Sequence, residues 1–418
     1  MRIIAAGSGS VPCSVAIMRI LQLCNKPPYP PIDGGSKAMH NLTRGLLDAG
    51  HEVKVLCIST PKNSLDLEQI PADHRQRTGI EGVFVDTSVN VVDAFTDLLT
   101  ADNYNISRFF SPDVDIRLIR LLSESSFDLV QLESLFMTPY IATIRRYSKA
   151  PIVLRSHNLE HVIQGRLAIG EKNILKRPYR KFLAKQLQDY EMAVLDRVDA
   201  VVAISPSDAA HFADHGTRTP IVTVPFALDP SEYEVEEQPR GGKITFFHLG
   251  SMDWLPNEEG VHWLLDEVWP KVLAQRPHAR LDLAGNKMPE NLLRKEVPGV
   301  RIRGRVKSAQ TFMRDRQVMV VPLFSAGGMR VKIIEGMAMG KPVISTPIGA
   351  EGIEYTEGLN ILLGQSATEF AKHIIALDEA PDYMRMLGQE ARSLIESRYS
   401  IRNTVQDLLD LYQRLVKA

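Results

Sequence analysis

The sequence predicts an α/β protein of two Rossmann-like, doubly wound domains facing each other across a cleft. Three observations carry that expectation. Short apolar runs alternate with amphipathic helical segments along most of the chain, the pattern of a parallel sheet covered by helices. The alternation breaks at the acidic, then Pro- and Gly-rich stretch "DPSEYEVEEQPRGGK" and restarts after it. The 418 residues are too many for one compact core and suit two domains of ordinary size.

Residues 1–17 read as a disordered extension. Gly, Ser and Pro break the apolar stretch in "MRIIAAGSGSVPCSVAI", which makes a poor signal peptide, and a clean strand opens at Met18. A first strand at residues 3–6 is the competing reading. Residues 18–230 form the first domain, assigned to the acceptor. Its opening strand, residues 20–24, leads through the turn-rich "NKPPYPPIDGGS" into the helix "KAMHNLTRGLLDAG", with Gly50 past its end. "EVKVLCI", "FDLVQLE", "APIVLRSHN" and "VDAVVAIS" are its further strands. "DVD" at residues 113–115 superficially resembles a metal-binding acid pair, but it precedes "IRLIRLLS" and reads as a helix start. No metal is expected.

Residues 231–243 read as the linker and 244–382 as the second domain, assigned to the nucleotide sugar. "ITFFHLG", "ARLDLAG" and "RQVMVVPL" are strands, and "NEEGVHWLLDEVWPKVLAQRP" is a helix. Trp254, Trp263 and Trp269 read as core or cleft-wall residues. Residues 383–418 are charged helices expected to pack back toward the first domain. Such folds bind ligands at the carboxyl ends of their strands, so the cleft is the expected site.

Composition narrows the function. A formal net charge of -1 argues against nucleic acid as a partner of the whole chain. Cys13, Cys24 and Cys57 show no metal-ligand spacing and suit a reducing cytoplasm. No stretch reaches the roughly 18 apolar residues of a spanning helix. "EKNILKRPYRKFLAKQ" concentrates Lys172, Lys176, Arg177, Arg180, Lys181 and Lys185. It is either a solvated helix face or a peripheral contact with an anionic membrane.

The densest chemistry lies in "SAGGMRVKIIEGMAMGKPVIST". A helix over 328–339 places Val331, Ile334 and Ala338 on a face toward the sheet, and Lys332 with Glu335 on another. Gly340 and Lys341-Pro342 end it. Gly327 and Gly328 let backbone N–H groups approach a ligand. The positive helix start, with Arg330 and Lys332, suits a diphosphate. Glu335, one turn inward, is an acceptor-only group placed for the two hydroxyls of a ribose. An exposed helix with an i,i+3 ion pair is the plain alternative.

With these residues the chain resembles the family 4 retaining glycosyltransferases, and most closely sugar transferases of bacterial polysaccharide pathways. The resemblance covers nearly the whole chain from Met18. "PPYPPIDGGSKAMHNLTRGLLDAGHEV" resembles the family's first Gly-rich loop and helix, and "LRSHNLEH" its strand-end histidine segment. "VVAISPSDAAHF" and "VPFALDP" resemble the end of its first domain. "HLGSMDWLPNEEGVHWL", with Gly250 and Ser251, and "GGMRVKIIEGMAMGKPVIST" resemble its nucleotide half. The resemblance implies the glycosyltransferase B-type fold and transfer of a hexose-type sugar from a nucleotide-diphosphate sugar. It implies retention without a metal or a covalent protein nucleophile, and no cofactor, since the nucleotide sugar is a substrate. The acceptor it implies is a glycan or lipid-linked saccharide.

The resemblance also assigns residues. His157 would face the donor sugar, with Arg155 and Glu160 beside it. Gly34 and Gly35 would let the first loop approach phosphate and acceptor, and from its strand-end position in "QLES" Glu133 is, with Arg155 and Glu160, a candidate acceptor contact. Gly304, Arg305 and Val306 would form the base-binding turn. The chain departs from the pattern twice. Gly327 stands where the family often has a first glutamate, eight residues before the position of Glu335. "GSMDWLPNEEG" lacks the family's Arg and Lys, so Arg330 and Lys332 are the expected replacements. A nucleotide-sugar epimerase and a non-catalytic nucleotide-sugar-binding partner of another transferase are the competing functions.

Overall fold

The structure is a computed structural model that describes residues 16–86, 104–171, 173, 176–235, 244–325 and 327–417. The expected extension before residue 16, the linker from 236 to 243, and Lys172 lie outside the described residues.

Two parallel sheets organise the chain. The first has seven strands: β1 (Arg19–Cys24), β2 (Glu52–Ser59), β3 (Glu81–Phe84), β4 (Leu129–Glu133), β5 (Ile152–Ser156), β6 (Ala200–Ala203) and β7 (Ile221–Thr223), in the order 3-2-1-4-5-6-7. The second has six: β8 (Thr245–Leu249), β9 (Arg280–Ala284), β10 (Val300–Gly304), β11 (Val318–Val321), β12 (Val343–Ser345) and β13 (Leu362–Leu363), in the order 10-9-8-11-12-13. Central strands β4, β5, β6 and β11 are buried at every residue, as strands covered by helices on both faces must be. Strand order reverses between β1 and β4 and again between β8 and β11. Those two switch points mark where each domain opens a crevice.

Helix α1 (Gly34–Asp48) begins three residues before the expected start. Asp33 caps it, accepting from the Ser36 amide at 2.9 Å while Lys26 Nζ donates to the same carboxylate at 2.6 Å. Gly34 and Gly35 are therefore its first turn rather than a free loop. Helix α2 (Pro112–Glu124) carries Asp113 and Asp115 in its first turn, where they face the positive helix end. Helices α3 (Glu160–Ile169) and α4 (Lys176–Leu195) form a hairpin on the first domain. In the second domain α5 (Leu255–Trp263) runs through a π-helical turn at Leu264–Val268 into a further helix at Trp269–Gln275, and Pro270 is accommodated there. Trp269 is fully buried and donates to Pro298 O at 2.9 Å. Helix α6 (Val331–Ala338) follows β11, and α7 (Pro381–Leu394) leads to α8 (Ile401–Lys417).

The chain end returns to the first domain. Leu228 receives from Ile401 N–H and donates to Tyr399 O, each at 2.9 Å. Val405, Leu408, Leu409, Leu411 and Tyr412 of α8 share one core with Met18, Ile20, Met39 and Leu42. Leu408→Ala removes a fully buried side chain from that core and is expected to cost about 2–5 kcal/mol. Amide exchange should accelerate in α1 and β1 more than in β8 and β9. Acceleration confined to the second domain would contradict this packing.

Candidate functional site

Helix α6 starts later than the sequence suggests, at Val331, because Gly328 has φ +73° and Arg330 is non-helical at φ -85°, ψ 88°. The first domain presses on this turn. A Cβ on Gly328 would lie 2.0 Å from Asn158 Oδ1, and one on Gly327 would lie 2.4 Å from Ile163 Cγ1 of α3. The glycine pair is thus required by close approach of the opposite domain. Two ion pairs span the same boundary. Arg166 of α3 binds Glu351 through two hydrogen bonds of 2.7 Å, and Lys37 of α1 pairs with Glu335 of α6.

Arg330 is 6% exposed, and its Nε and Nη2 have no hydrogen-bond partner. Its guanidinium lies 5.7 Å from the Trp254 ring centroid. Lys332 donates to Leu249 O at 3.2 Å and Asn257 Oδ1 at 2.9 Å, both neutral acceptors. Among the described residues neither cation has a carboxylate partner within salt-bridge distance. Burial, then the Arg330 charge, pulls the Lys332 ammonium from its ordinary 10.5 down to about 7. Burial lowers Arg330 to about 10, which still leaves it protonated.

Glu335 does not pair with Lys332. Its carboxylate accepts from Lys37 and, at 3.2 Å, from the Tyr233 hydroxyl. The plain alternative, an exposed helix with an i,i+3 ion pair, is therefore set aside. A cavity of about 420 Å³ joins these groups. Arg330, Lys332 and Glu335 line it with Gly250, Ser251, Trp254 and Asn257, and Gly34 and Lys37 close it from the first domain. Trp254 takes the cleft-wall place the sequence offered it, whereas Lys37, Asn257 and Tyr233 were not legible as site residues, because only the packed chain brings them together. Gly304, Arg305 and Val306 do not line this cavity. Gly304, at φ +62°, ends the outer strand β10.

Across the boundary lies a second constellation. Glu133, at the end of β4, is fully buried and accepts from His157 Nε2 and Gln22 Nε2, each at 2.6 Å. It also accepts from Gln131, and from Arg155 Nη1 at 3.4 Å. Burial alone would raise the Glu133 carboxyl. The Arg155 charge and the bonds from His157 and Gln22 override it and hold the group at about 2. Burial keeps the His157 imidazolium below its usual range, aided by Arg155 and opposed by Glu133. An ionised carboxylate can only accept, so His157 Nε2 carries the proton and Nδ1 keeps its lone pair. Glu133 and Arg155 are fully buried in this structure and present no surface to an acceptor, while Glu133 holds the His157 ring through its hydrogen bond. Glu160 bonds Asn158 at 3.3 Å rather than His157, and burial beside Glu191 raises it to about 7.

Comparison with known proteins gives two family models. "Glycosyltransferase Family 4" matches residues 32–232, and "Glycosyl transferases group 1" matches residues 243–379. An uncharacterized 44.6 kDa protein in the cps region of Klebsiella pneumoniae is 23% identical, covering 93% of this chain and 98% of that one. Sucrose-phosphate synthase from Thermosynechococcus elongatus superposes with a TM-score of 0.70 at 16% identity, over 96% and 99% of the two chains. HepE of Anabaena, solved in complex with UDP-glucose, gives 0.63 at 14% identity, over 95% and 100%. Both structures share the fold.

The lowered Lys332 has a signed consequence. Between about pH 7 and its ordinary 10.5 the unfolded chain holds a proton that the folded chain lacks, so folding gains stability as pH rises through that window. Below it the full penalty of a buried charge remains. Comparing wild type with Lys332→Met should show the wild type gaining relative melting temperature from pH 7 to about 10. Parallel curves would mean that Lys332 is effectively solvated.

Proposed function

The chain belongs to the family 4 glycosyltransferases, retaining enzymes that move a hexose from a nucleotide sugar, and from that premise we propose that Arg330 and Lys332 receive the leaving diphosphate. The observation that carries this reading is a pair of cations, Arg330 buried and Lys332 half-buried, without carboxylate partners among the described residues, on one cavity of about 420 Å³. Breaking the anomeric C–O bond places negative charge on the departing diphosphate, and charge stabilised where it develops is usually the largest catalytic term. Lys37 adds a third cation from the other domain. Ribose hydroxyls donating to Glu335 would release Lys37 toward the phosphates, so both domains would hold one leaving group. In this reading the three cations would do at the leaving group what a metal ion could otherwise do.

His157, neutral and with Nε2–H bound to Glu133, offers Nδ1 to a donor-sugar hydroxyl. Glu133 beneath it supports positive charge at the reacting carbon. Gly327 brings no carboxylate to the sugar, and Ile163 occupies the space above it. The acceptor we propose is a growing glycan on a lipid carrier at the inner face of a membrane, in keeping with the cps-region relative and a role in polysaccharide biosynthesis. No helix among the described residues is long and apolar enough to cross a membrane, so contact would be peripheral.

Incubation of the purified protein with a panel of nucleotide sugars, UDP-sugars first, tests the reading. Slow hydrolysis releasing nucleoside diphosphate is the expected result. A new sugar with the diphosphate intact would make the protein an epimerase, and binding without turnover would make it a non-catalytic partner. Glu133→Gln keeps the volume but removes the ionised acceptor that sets the His157 tautomer. It is expected to lower turnover about 100-fold or more, with UDP affinity held within about twofold. Equal loss in both would reduce Glu133 to a structural role.

A further inference from the structure

The α3–α4 hairpin carries a surface that the proposed chemistry does not use. Residues 176–182 of α4 are all exposed: Lys176, Arg177, Pro178, Tyr179, Arg180, Lys181 and Phe182. Seven consecutive residues make nearly two turns, so this helix start has no covered side. Burial begins only at Ala184 and Leu187. At the adjoining end of α3, Leu167 and Ile169 are 51% and 66% exposed, and Tyr179 and Phe182 are 44% and 47% exposed. Apolar and basic groups are thus interleaved at one tip. Arg180 pairs with Glu171 at 2.9 Å and Lys185 with Asp189 at 2.8 Å, while Lys176, Arg177 and Lys181 have no acidic partner among the described residues.

We infer that this tip docks on an anionic lipid surface, with Leu167, Ile169, Tyr179 and Phe182 entering the interface and the Lys and Arg heads meeting lipid phosphates. The mixture of side chains selects that occupant. Long cationic side chains can lay their stems along apolar surface while their heads reach the headgroups. Exposed Leu and Ile would gain nothing from a nucleic-acid backbone, and the chain's formal net charge is -1. Position gives the docking a purpose. Ile169 is about one helical turn beyond Arg166, whose pair with Glu351 borders the cleft. A lipid-linked acceptor could then reach the cleft from the surface that holds the tip. This purpose rests on the lipid-carrier reading above, while the docking itself does not.

The test is sedimentation of the full chain with vesicles of phosphatidylcholine containing about 30% phosphatidylglycerol, against phosphatidylcholine alone. Wild type should bind the anionic vesicles and weaken at about 0.5 M salt. Combining Lys176→Glu, Arg177→Glu and Lys181→Glu should reduce binding at least about 100-fold, at about fivefold or more per lost cation. Leu167→Ser with Ile169→Ser should remove the salt-resistant fraction. Melting temperature and hydrolysis of the free nucleotide sugar should be unchanged in both variants. Wild type that ignores anionic vesicles, a charge-reversed variant that binds them equally, or self-association abolished by the same substitutions would each overturn the docking. If vesicles bind but no nucleotide sugar is bound or hydrolysed, the docking stands and the transferase reading fails.

Discussion

Two cations, Arg330 buried and Lys332 half-buried, neither with a carboxylate partner among the described residues, constrain the rest of this molecule. Arg330 and Lys332 are held at a helix start where, among the described residues, Lys332 meets a backbone carbonyl and an amide oxygen and two guanidinium nitrogens have no partner. Such groups are costly in the unliganded protein, which the depressed Lys332 proton affinity registers. The proposed diphosphate would remove the cost by supplying the missing acceptors. The surrounding sequence serves that arrangement. Gly327 and Gly328 admit the first domain, Asn257 directs Lys332 while donating to Ser251 O at 2.8 Å, and Trp254 shelters Arg330.

The first domain answers with the opposite sign. An ionised Glu133 lies under a neutral His157, and Arg155 behind them balances the buried acid. In the proposed reaction one side of the cleft would stabilise negative charge on the leaving group while the other would support positive charge on the sugar. The domains are tied in register by Arg166–Glu351, Lys37–Glu335 and the core shared by α1 and α8. Lys37 occupies the acid that the ribose is proposed to take. The unliganded site is thus partly neutralised by its own other domain.

Much of this was legible in the sequence, and the failures have physical causes. Central strands such as "DLVQLE" and "IVLRS" announce themselves as continuous apolar runs because both faces are covered. The edge strands β3 and β10 were missed because "EGVF" and "VRIRG" are half exposed and short. Arg330 and Lys332 stood out as cations beside glycines. That neither has a carboxylate partner among the described residues did not, since Lys332 and Glu335 sit at ion-pair spacing and Lys37 and Tyr233 divert the acid. Glu133 looked like a substrate contact because a polar strand end usually is one. Its hydrogen bonds to Gln22 and His157 span 111 and 24 residues and leave no trace in local pattern.

The central claim is that Arg330 and Lys332 bind a diphosphate, and calorimetry across uridine, UMP and UDP tests it most directly. Wild type should gain affinity steeply with each added phosphate. Arg330→Ala and Lys332→Ala should each erase most of that gain, about 10- to 100-fold for UDP, from charge-assisted bonds worth roughly 1.5–3 kcal/mol. Uridine binding should be spared, because its proposed partner is Glu335. Variants that bind UDP as tightly as wild type would contradict the account.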